Sequence, residues 1–587
     1  MTYLNDVHGI IIGGVQNYIR DECTYDENDN LIQILEPTQS RELGVGIMRA
    51  HGAHKVASFL RENGADVEVI DYAFTWTLEE LKDLWKSRYY SKTFFLCIST
   101  TFRNSSLYLW QFVEWVRENY PHIHILGGTQ SIDKIIPFKL DWYVFGYGEY
   151  AMLELIKSLK DQTTSKIKYS KVGSKKIINA QKHYKSFPKK QLSLSYEDRD
   201  FIQPWEVLPM ELARGCIFQC AFCTYPILGV RDDHSRDEQD FYKELRENYD
   251  RWGTQNYVFS DETVNDYHSK LERYASVIKD LPFKPRFGGF ARGDLIAGRK
   301  KSWDTYIELG FMSHFYGIES MYRPAARSVG KGMETGKLQD GLLEFREYAE
   351  KNHDFYTGYI SLIAGLPNET FDTLEDTYSW VKKNWQDQFS FITALSIQAP
   401  IFTKKHSYIV EELGNYSLIE ADPAKYGYEI IKDYEPGSQI EWKSNTGMTL
   451  KSATEWVKSK GIPLTHGSVP PWNVPEFMVD PSISYLDMMV KGPNKSKMKT
   501  ILALDLQKTF LDVYNTDLDK LTMKATMNML QINERSKVES LEIGTNWIES
   551  SKVDGVQFSS GGRHLMSVLE KHKIDRVRKY KKDKINA

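Results

Sequence analysis

Three cysteines, Cys216, Cys220 and Cys223, stand within one short segment, LPMELARGCIFQCAFCTYP. Thiolates are the ligands that iron–sulfur clusters require, and this close spacing lets a single loop wrap a cuboidal cluster. Three cysteines for four irons leave one iron open. An open iron can bind a substrate or cofactor, whereas a fourth cysteine would close the cluster into an electron carrier. Of the five cysteines, Cys23 lies in a polar excursion and Cys97 in a strand-like run, so neither is persuasive as a fourth ligand. The competing reading is a zinc site, or three buried thiols. Structural zinc takes four ligands, usually as two separated pairs, and no second Cys/His pair at suitable spacing follows.

A loop of this kind must be carried by larger elements. The chain has 587 residues, 41% of them apolar and 13% aromatic, which is too long for one core and predicts two or three domains. Residues 1–160 alternate short β-branched runs (GIIIGGV, DVEVIDYA, TFFLCIST, IHILGG) with amphipathic stretches such as MRAHGAHKVASFLRENG and EYAMLELIKSLK. That alternation predicts an α/β domain with a parallel, doubly wound sheet. Residues 161–203, rich in Lys and Ser, read as a linker carrying a short hairpin. The alternation resumes over 204–400, where NYVFSDE, PRFGGFA, HFYGIES and YTGYISLIAGLP look like strands feeding helices. This is the rhythm of a complete or partial βα barrel, whose functional groups collect at strand C-termini. Residues 401–587 read as mostly helical and end in the basic run KHKIDRVRKYKKDK; a solvated helix end is the plain reading of that tail.

The net charge of -4 and a pI near 6.4 carry no global nucleic-acid or membrane signature. The apolar runs fall far short of a membrane span. The N-terminus MTYLNDVHG shows no basic segment followed by an apolar one, so no secretory signal is expected. Clustered thiols without such a signal point to a reducing, cytoplasmic setting.

The cysteine spacing, with Phe222 just before the third cysteine, resembles the signature of the radical S-adenosylmethionine (SAM) superfamily. The resemblance implies that SAM chelates the open iron of a [4Fe-4S] cluster. One-electron reduction, from an external donor such as flavodoxin or ferredoxin, then cleaves SAM to methionine and a 5'-deoxyadenosyl radical that takes hydrogen from the substrate. It also implies roles further along the chain. Asp261 and Glu262, ending NYVFSDE, fall where the superfamily binds the SAM amino group. Arg292 in GGFARGDL resembles a contact near the SAM carboxylate. Glu319 and Ser320, ending FYGIES, resemble the strand whose acidic residue meets the ribose. YISLIAGLPNET resembles the strand and turn near the adenine, pointing to Ile363, Gly365 and Glu369. The bland reading of each acidic residue is a solvated strand end or a helix cap.

The segments CISTTF, ILGGTQS and VFGYGEYAMLEL occur in the order seen in cobalamin-binding domains that precede radical SAM domains, a resemblance covering roughly residues 5–160. It implies a flavodoxin-like fold with cobalamin lying along the strand ends. The residues it points to are Ser99, Thr100 and Thr101, then Gly127, Gly128 and Thr129, then Gly146, with Gly148 and Glu149 extending the surface. The sequence departs from the pattern in one respect. Many such domains supply an axial histidine from an Asp-x-His-x-x-Gly loop after the first strand. Here Asp6-Val7-His8-Gly9 precedes that strand and lacks the glycine spacing, while His51 and His54 lie outside any such motif.

The stretch SQIEWKSNTGMTLKSATEWVKS resembles a Trp-containing segment found after the barrel in these relatives. Trp442, Trp456 and Trp472 are expected in the core. Three functions follow. The first is a cobalamin-dependent radical SAM enzyme that transfers a methyl group to an unactivated centre. The second is a radical SAM enzyme catalysing a rearrangement or oxidation, with the first domain as scaffold. The third is a non-catalytic iron–sulfur binding or electron-transfer protein. The substrate is not legible, and neither a membrane nor a nucleic acid is expected as a partner.

Overall fold

The computed structural model describes residues 4–13, 23–25, 31–34, 50–70, 78–99, 107–129, 140–172, 175–180, 193–197, 200, 202, 207–224, 234–353, 356–385, 389–397, 417–431 and 439–460. Thr100, Thr101, Trp472, the basic tail and the side chains of Cys23 and Thr129 lie outside the described residues.

Two parallel sheets organise the molecule. The first is built from β1 (His8–Ile12), β4 (Asp66–Ile70), β5 (Thr93–Ser99), β6 (His124–Thr129) and β7 (Trp142–Phe145), with β8 (Ser170–Val172) and β9 (Lys175–Asn179) at one edge. A separate short hairpin, β2 (Cys23–Tyr25) with β3 (Leu31–Ile34), lies within the polar excursion. The order β4-β1-β5-β6-β7-β9-β8 is parallel except for the last pair. Its first five strands follow the flavodoxin-like order 2-1-3-4-5, which turns back at β1, so the crevice between β1 and β5 is where such sheets take ligands. Both faces of β1 are covered, as its five buried residues show. The hairpin expected in 161–203 is β8–β9; it extends this sheet through pairing with β7 instead of standing apart in a linker.

The second sheet is β10 (Val207–Met210), β13 (Asn256–Phe259), β14 (Arg286–Arg292), β15 (Phe311–Glu319), β16 (Thr357–Ala364) and β17 (Phe389–Ala394), all parallel and in sequence order. Between β10 and β13 lie two short strands, β11 (Ala213–Arg214) and β12 (His234–Ser235), which pair antiparallel. Sequential order with helical crossovers gives the open, partial βα barrel that the sequence rhythm predicts. Local chemistry fixes the helices. Asp237 caps Glu238–Trp252 by accepting from the Gln239 and Asp240 amides, and the helix stops at Gly253 in the left-handed region. A capping box of Thr370 and Thr373 opens Phe371–Asn384.

The C-terminal region contributes a hairpin of β18 (Tyr428–Ile430) and β19 (Trp442–Ser444) and the helix Leu450–Ser459. Trp442 is fully buried and its indole N–H donates to the Leu395 carbonyl at 2.9 Å. Trp456 is buried as well and bonds Glu375 at 2.8 Å. Both tryptophans are core, as the sequence implied. Among the described residues no helix is long and apolar enough to cross a membrane.

Candidate active site

The barrel's strand C-termini converge on the cysteine loop. That loop leaves β10 through Glu211 to Arg214, bends at Gly215 (φ 108) and runs through Cys216, Cys220 and Cys223. Gly215 takes a left-handed conformation that other residues adopt only with strain. A bond of 3.0 Å from the Cys223 amide to the Cys220 carbonyl makes a tight turn between those two cysteines. The loop rests on the segment after β15: the Ala221 amide donates to the Val329 carbonyl, and a Cβ on Gly330 would approach the Gln219 carbonyl to 3.3 Å.

All three loop cysteines are thiols and partly accessible. Among the described residues, no three Cys, His, Asp or Glu side chains are grouped to hold one metal ion. Each thiolate of a cuboidal cluster binds its own iron, so three ligands spread along one loop suit a cluster better than a single zinc. Burial pushes the Cys216 thiol up, opposed by hydrogen bonding with the Phe218 backbone and the Thr263 hydroxyl. Burial also raises Cys220, but the nearby charges of Lys331 and Arg292 pull it back toward thiolate. Cys97 differs: it is buried in β5 and pushed up to about 12, the state of an inert core thiol.

Arg292, at the end of β14, lies 4.0 Å over the Phe218 ring and sends one nitrogen to within 3.7 Å of the Cys220 sulfur. Its other nitrogens are held by Asp294 at 3.0 and 2.6 Å. Asn265 fixes the strand end by bonding both the amide and the carbonyl of Arg292. Glu319, at the end of β15, sits at φ 65, an unusual conformation for a residue other than glycine. The ladder to β16 shifts register there. Lys331 pairs with Glu319 at 2.8 Å, bonds the Gly317 carbonyl at 2.6 Å and lies 5.9 Å from the Phe222 ring centroid. The structure therefore gathers Phe222, Arg292 and Glu319 at the cysteine loop.

Three other expected residues have partners within the fold. Asp261 accepts from the Leu212 and Ala213 amides at 2.9 and 2.7 Å, clamping the chain just ahead of the cysteines. Burial raises its carboxyl to about 7 against the pull of Lys270 and those amides. Ser320 donates to Glu369 at 2.8 Å, while the other Glu369 oxygen accepts from the Gly365 and Leu366 amides. Burial raises Glu369 to about 7 as well. Gly365 has φ 95, and a Cβ there would lie 2.4 Å from the Trp442 ring. Glu262 stands beside Asp261, partly exposed, and Ile363 is partly buried near the end of β16.

Sequence reasoning passed over Lys331, Asn265 and Asp294. Lys331 left one trace, a lysine between Gly330 and Gly332, both with positive φ.

At the first sheet, Ser99 ends β5, Gly127 and Gly128 lie in β6, and Gly146 (φ 96) follows β7. These are neighbouring strand ends on one edge. Among the described residues, a Cβ on Gly128 would meet nothing within 4 Å, whereas one on Gly127 would strike Leu140 at 2.5 Å. His8 is at the opposite end of β1, buried against Thr93 and Glu68.

Residues 210–381 match the Radical SAM superfamily. The anaerobic magnesium-protoporphyrin IX monomethyl ester cyclase of Cereibacter sphaeroides is 26% identical over 179 residues, 30% of this chain, and the match spans 28% of the cyclase. The radical SAM methyltransferase TsrM from Kitasatospora setae, solved with tryptophan substrate and a SAM analogue, superimposes with a TM-score of 0.50 at 11% identity, covering 73% of this chain and 79% of that one. The cobalamin-dependent radical enzyme OxsB gives 0.48 at 13% identity over 100% of this chain and 82% of its own.

Proposed function

We propose that this chain, an enzyme with a radical SAM domain over residues 210–381, uses cobalamin in its first domain to transfer a methyl group to an unactivated centre of its substrate. The observation that carries the reading is the pairing of two edges. Three cysteine thiols stand on one loop at the barrel's strand ends, and a flavodoxin-like switch point opens on the sheet before it. The likeness in fold to a methyltransferase supports the choice of reaction.

In this reading Cys216, Cys220 and Cys223 hold the [4Fe-4S] cluster. The reduced cluster with SAM supplies radical chemistry that no side chain provides. The chain's own groups bind and orient. Arg292, with one face on Phe218, and Lys331 beside Phe222 place positive charge at the cysteine loop. Asp261 holds the loop's entry, and Glu262, Glu319, Ser320, Ile363 and Gly365 line the surface offered to SAM. In the first domain Ser99, Gly127, Gly128 and Gly146 make the cobalamin edge. His8 faces the far end of its strand, which supports cobalamin held without that histidine. An external one-electron donor of the flavodoxin or ferredoxin kind completes the system.

The test is anaerobic reconstitution with iron, sulfide and cobalamin, followed by a SAM-cleavage assay. Formation of 5'-deoxyadenosine is expected; none under any reducing condition sinks the radical reading. Methyl- and hydroxocobalamin are expected to bind at equilibrium. If neither does while SAM is still cleaved, the first domain is a scaffold and the reaction a radical one without methylation.

A further inference from the structure

Behind the cysteine loop, charged side chains from two domains meet out of solvent. Glu211 and Arg214 belong to the loop's entry, directly after β10. Lys55 and His51 come from the helix His51–Glu62 of the first domain, and Glu149 from the start of its helix Glu149–Lys160. The Glu211 carboxylate accepts the Arg214 Nε at 2.7 Å and pairs with Lys55 at 3.0 Å. Arg214 crosses the boundary to Glu149, which it meets through both terminal nitrogens, and lies 4.2 Å over the Tyr147 ring. His51 stands 3.9 Å from Glu211. Side chains of Lys55, Glu149, Glu211 and Arg214 are each at most 8% exposed.

We infer that the first domain holds the cysteine loop through this network, with Glu149 and Lys55 as positioning residues and Arg214 as the link. Two carboxylates and two cations balance one another where little of any of them is exposed, so none can leave without stranding a buried charge. Burial alone would raise Glu211, yet Arg214 and Lys55 together hold it well below the usual carboxylate range. Only Gly215 separates Arg214 from Cys216, so the network anchors the chain two residues ahead of the first thiol. Glu149, which the sequence placed along the cobalamin edge, is committed to Arg214.

The inference rests on the cluster reading of the three cysteines, and its test separates the two. The reconstituted full chain is compared with E149Q, K55Q and R61Q for iron content, midpoint potential and the EPR signal with and without SAM. Arg61 is the control. It makes a buried pair with Asp200 in the same interface, at 2.7 and 3.1 Å, without touching the loop. E149Q leaves an uncompensated positive charge beside the loop and favours the reduced cluster; K55Q leaves a negative one and disfavours it. Opposite shifts in the reduction equilibrium are expected, up to about tenfold, or about 59 mV for one electron. An altered EPR response to SAM is expected with them, while R61Q keeps the parent values. Unchanged potentials in E149Q and K55Q overturn the inference, and so do equal shifts of one sign in all three variants. Should E149Q fail to fold, K55Q against R61Q decides by the same readings. A parent protein that takes up no cluster would instead overturn the cluster reading.

Discussion

The two parallel sheets expose the same kind of edge and furnish it in opposite ways. At the barrel's strand ends nearly every polar side chain near the cysteines is already paired: Arg292 with Asp294, Lys331 with Glu319, Ser320 with Glu369, Asp261 with two backbone amides. The first sheet ends in small residues, Ser99, Gly127, Gly128 and Gly146, and at Gly128 a Cβ would meet no described residue within 4 Å. A crowded edge of fixed charges suits a small polar ligand and a cluster whose position must not drift. A bare edge suits a broad ligand that lies against the backbone. The contrast makes one edge intolerant of change in stability and the other intolerant only in binding.

The sharpest way to break the contrast is at the cysteines. Cys220→Ala removes one of three thiolates, and complete loss of the cluster's optical absorption and of bound iron is expected after reconstitution. Full iron content in that variant would remove the ligand assignment. Next in size is Asp261→Ala, which leaves the Leu212 and Ala213 amides buried without acceptors. At about 1–3 kcal/mol for each stranded group, chemical denaturation should show a loss of about 2–6 kcal/mol, with cluster uptake falling alongside it. A loss within error would mean that the clamp on the loop's entry is not the one described.

A matched pair of glycines compares the two edges directly. Gly365→Ala places a Cβ at φ 95 and 2.4 Å from the Trp442 ring, and a loss of about 1–3 kcal/mol is expected. Gly128→Ala meets no described residue within 4 Å and should change stability by no more than about 0.5 kcal/mol. Cobalamin affinity, measured by equilibrium binding, should nonetheless fall in Gly128→Leu, whose side chain occupies that space. Equal stability losses at the two glycines would erase the distinction between the edges.

What the sequence disclosed follows the range of the interactions involved. The cysteine loop, the strand ends and the alternation of both sheets are local patterns, and they read out directly. The core role of Trp442 and Trp456 followed from size and apolarity alone. Pairings between distant segments did not read out, because nothing near Lys331 in the chain announces Glu319, and nothing near Arg214 announces Glu149 across the domain boundary. Asp261 shows the intermediate case. Its place at a strand end was legible, but its two bonds to amides nearly fifty positions earlier were not. The hairpin β8–β9 was visible as a hairpin, while its addition to the first sheet depends on β7, from which it is separated by a helix.

A further expected effect concerns pH, and it lies at the crowded edge. Burial raises Glu369 from its ordinary value of 4.5 to about 7, against the bonds from Ser320, Gly365 and Leu366. Between those two values the folded protein holds a proton that the unfolded chain has released, so the native state binds more protons and its stability falls as pH rises. The contribution is fully present below about pH 4.5 and is lost by the time pH passes 7. Glu369→Gln cannot titrate and has no such slope. The stability difference between the parent and E369Q, followed by urea denaturation from pH 5 to pH 8, should therefore shift against the parent by about 2–3 kcal/mol. Gly128→Ala, at the bare edge, should run parallel to the parent across the same range. A difference between parent and E369Q that grows in the parent's favour toward pH 8 would mean that the three donors outweigh burial at Glu369, and that this carboxylate is held charged in the folded enzyme.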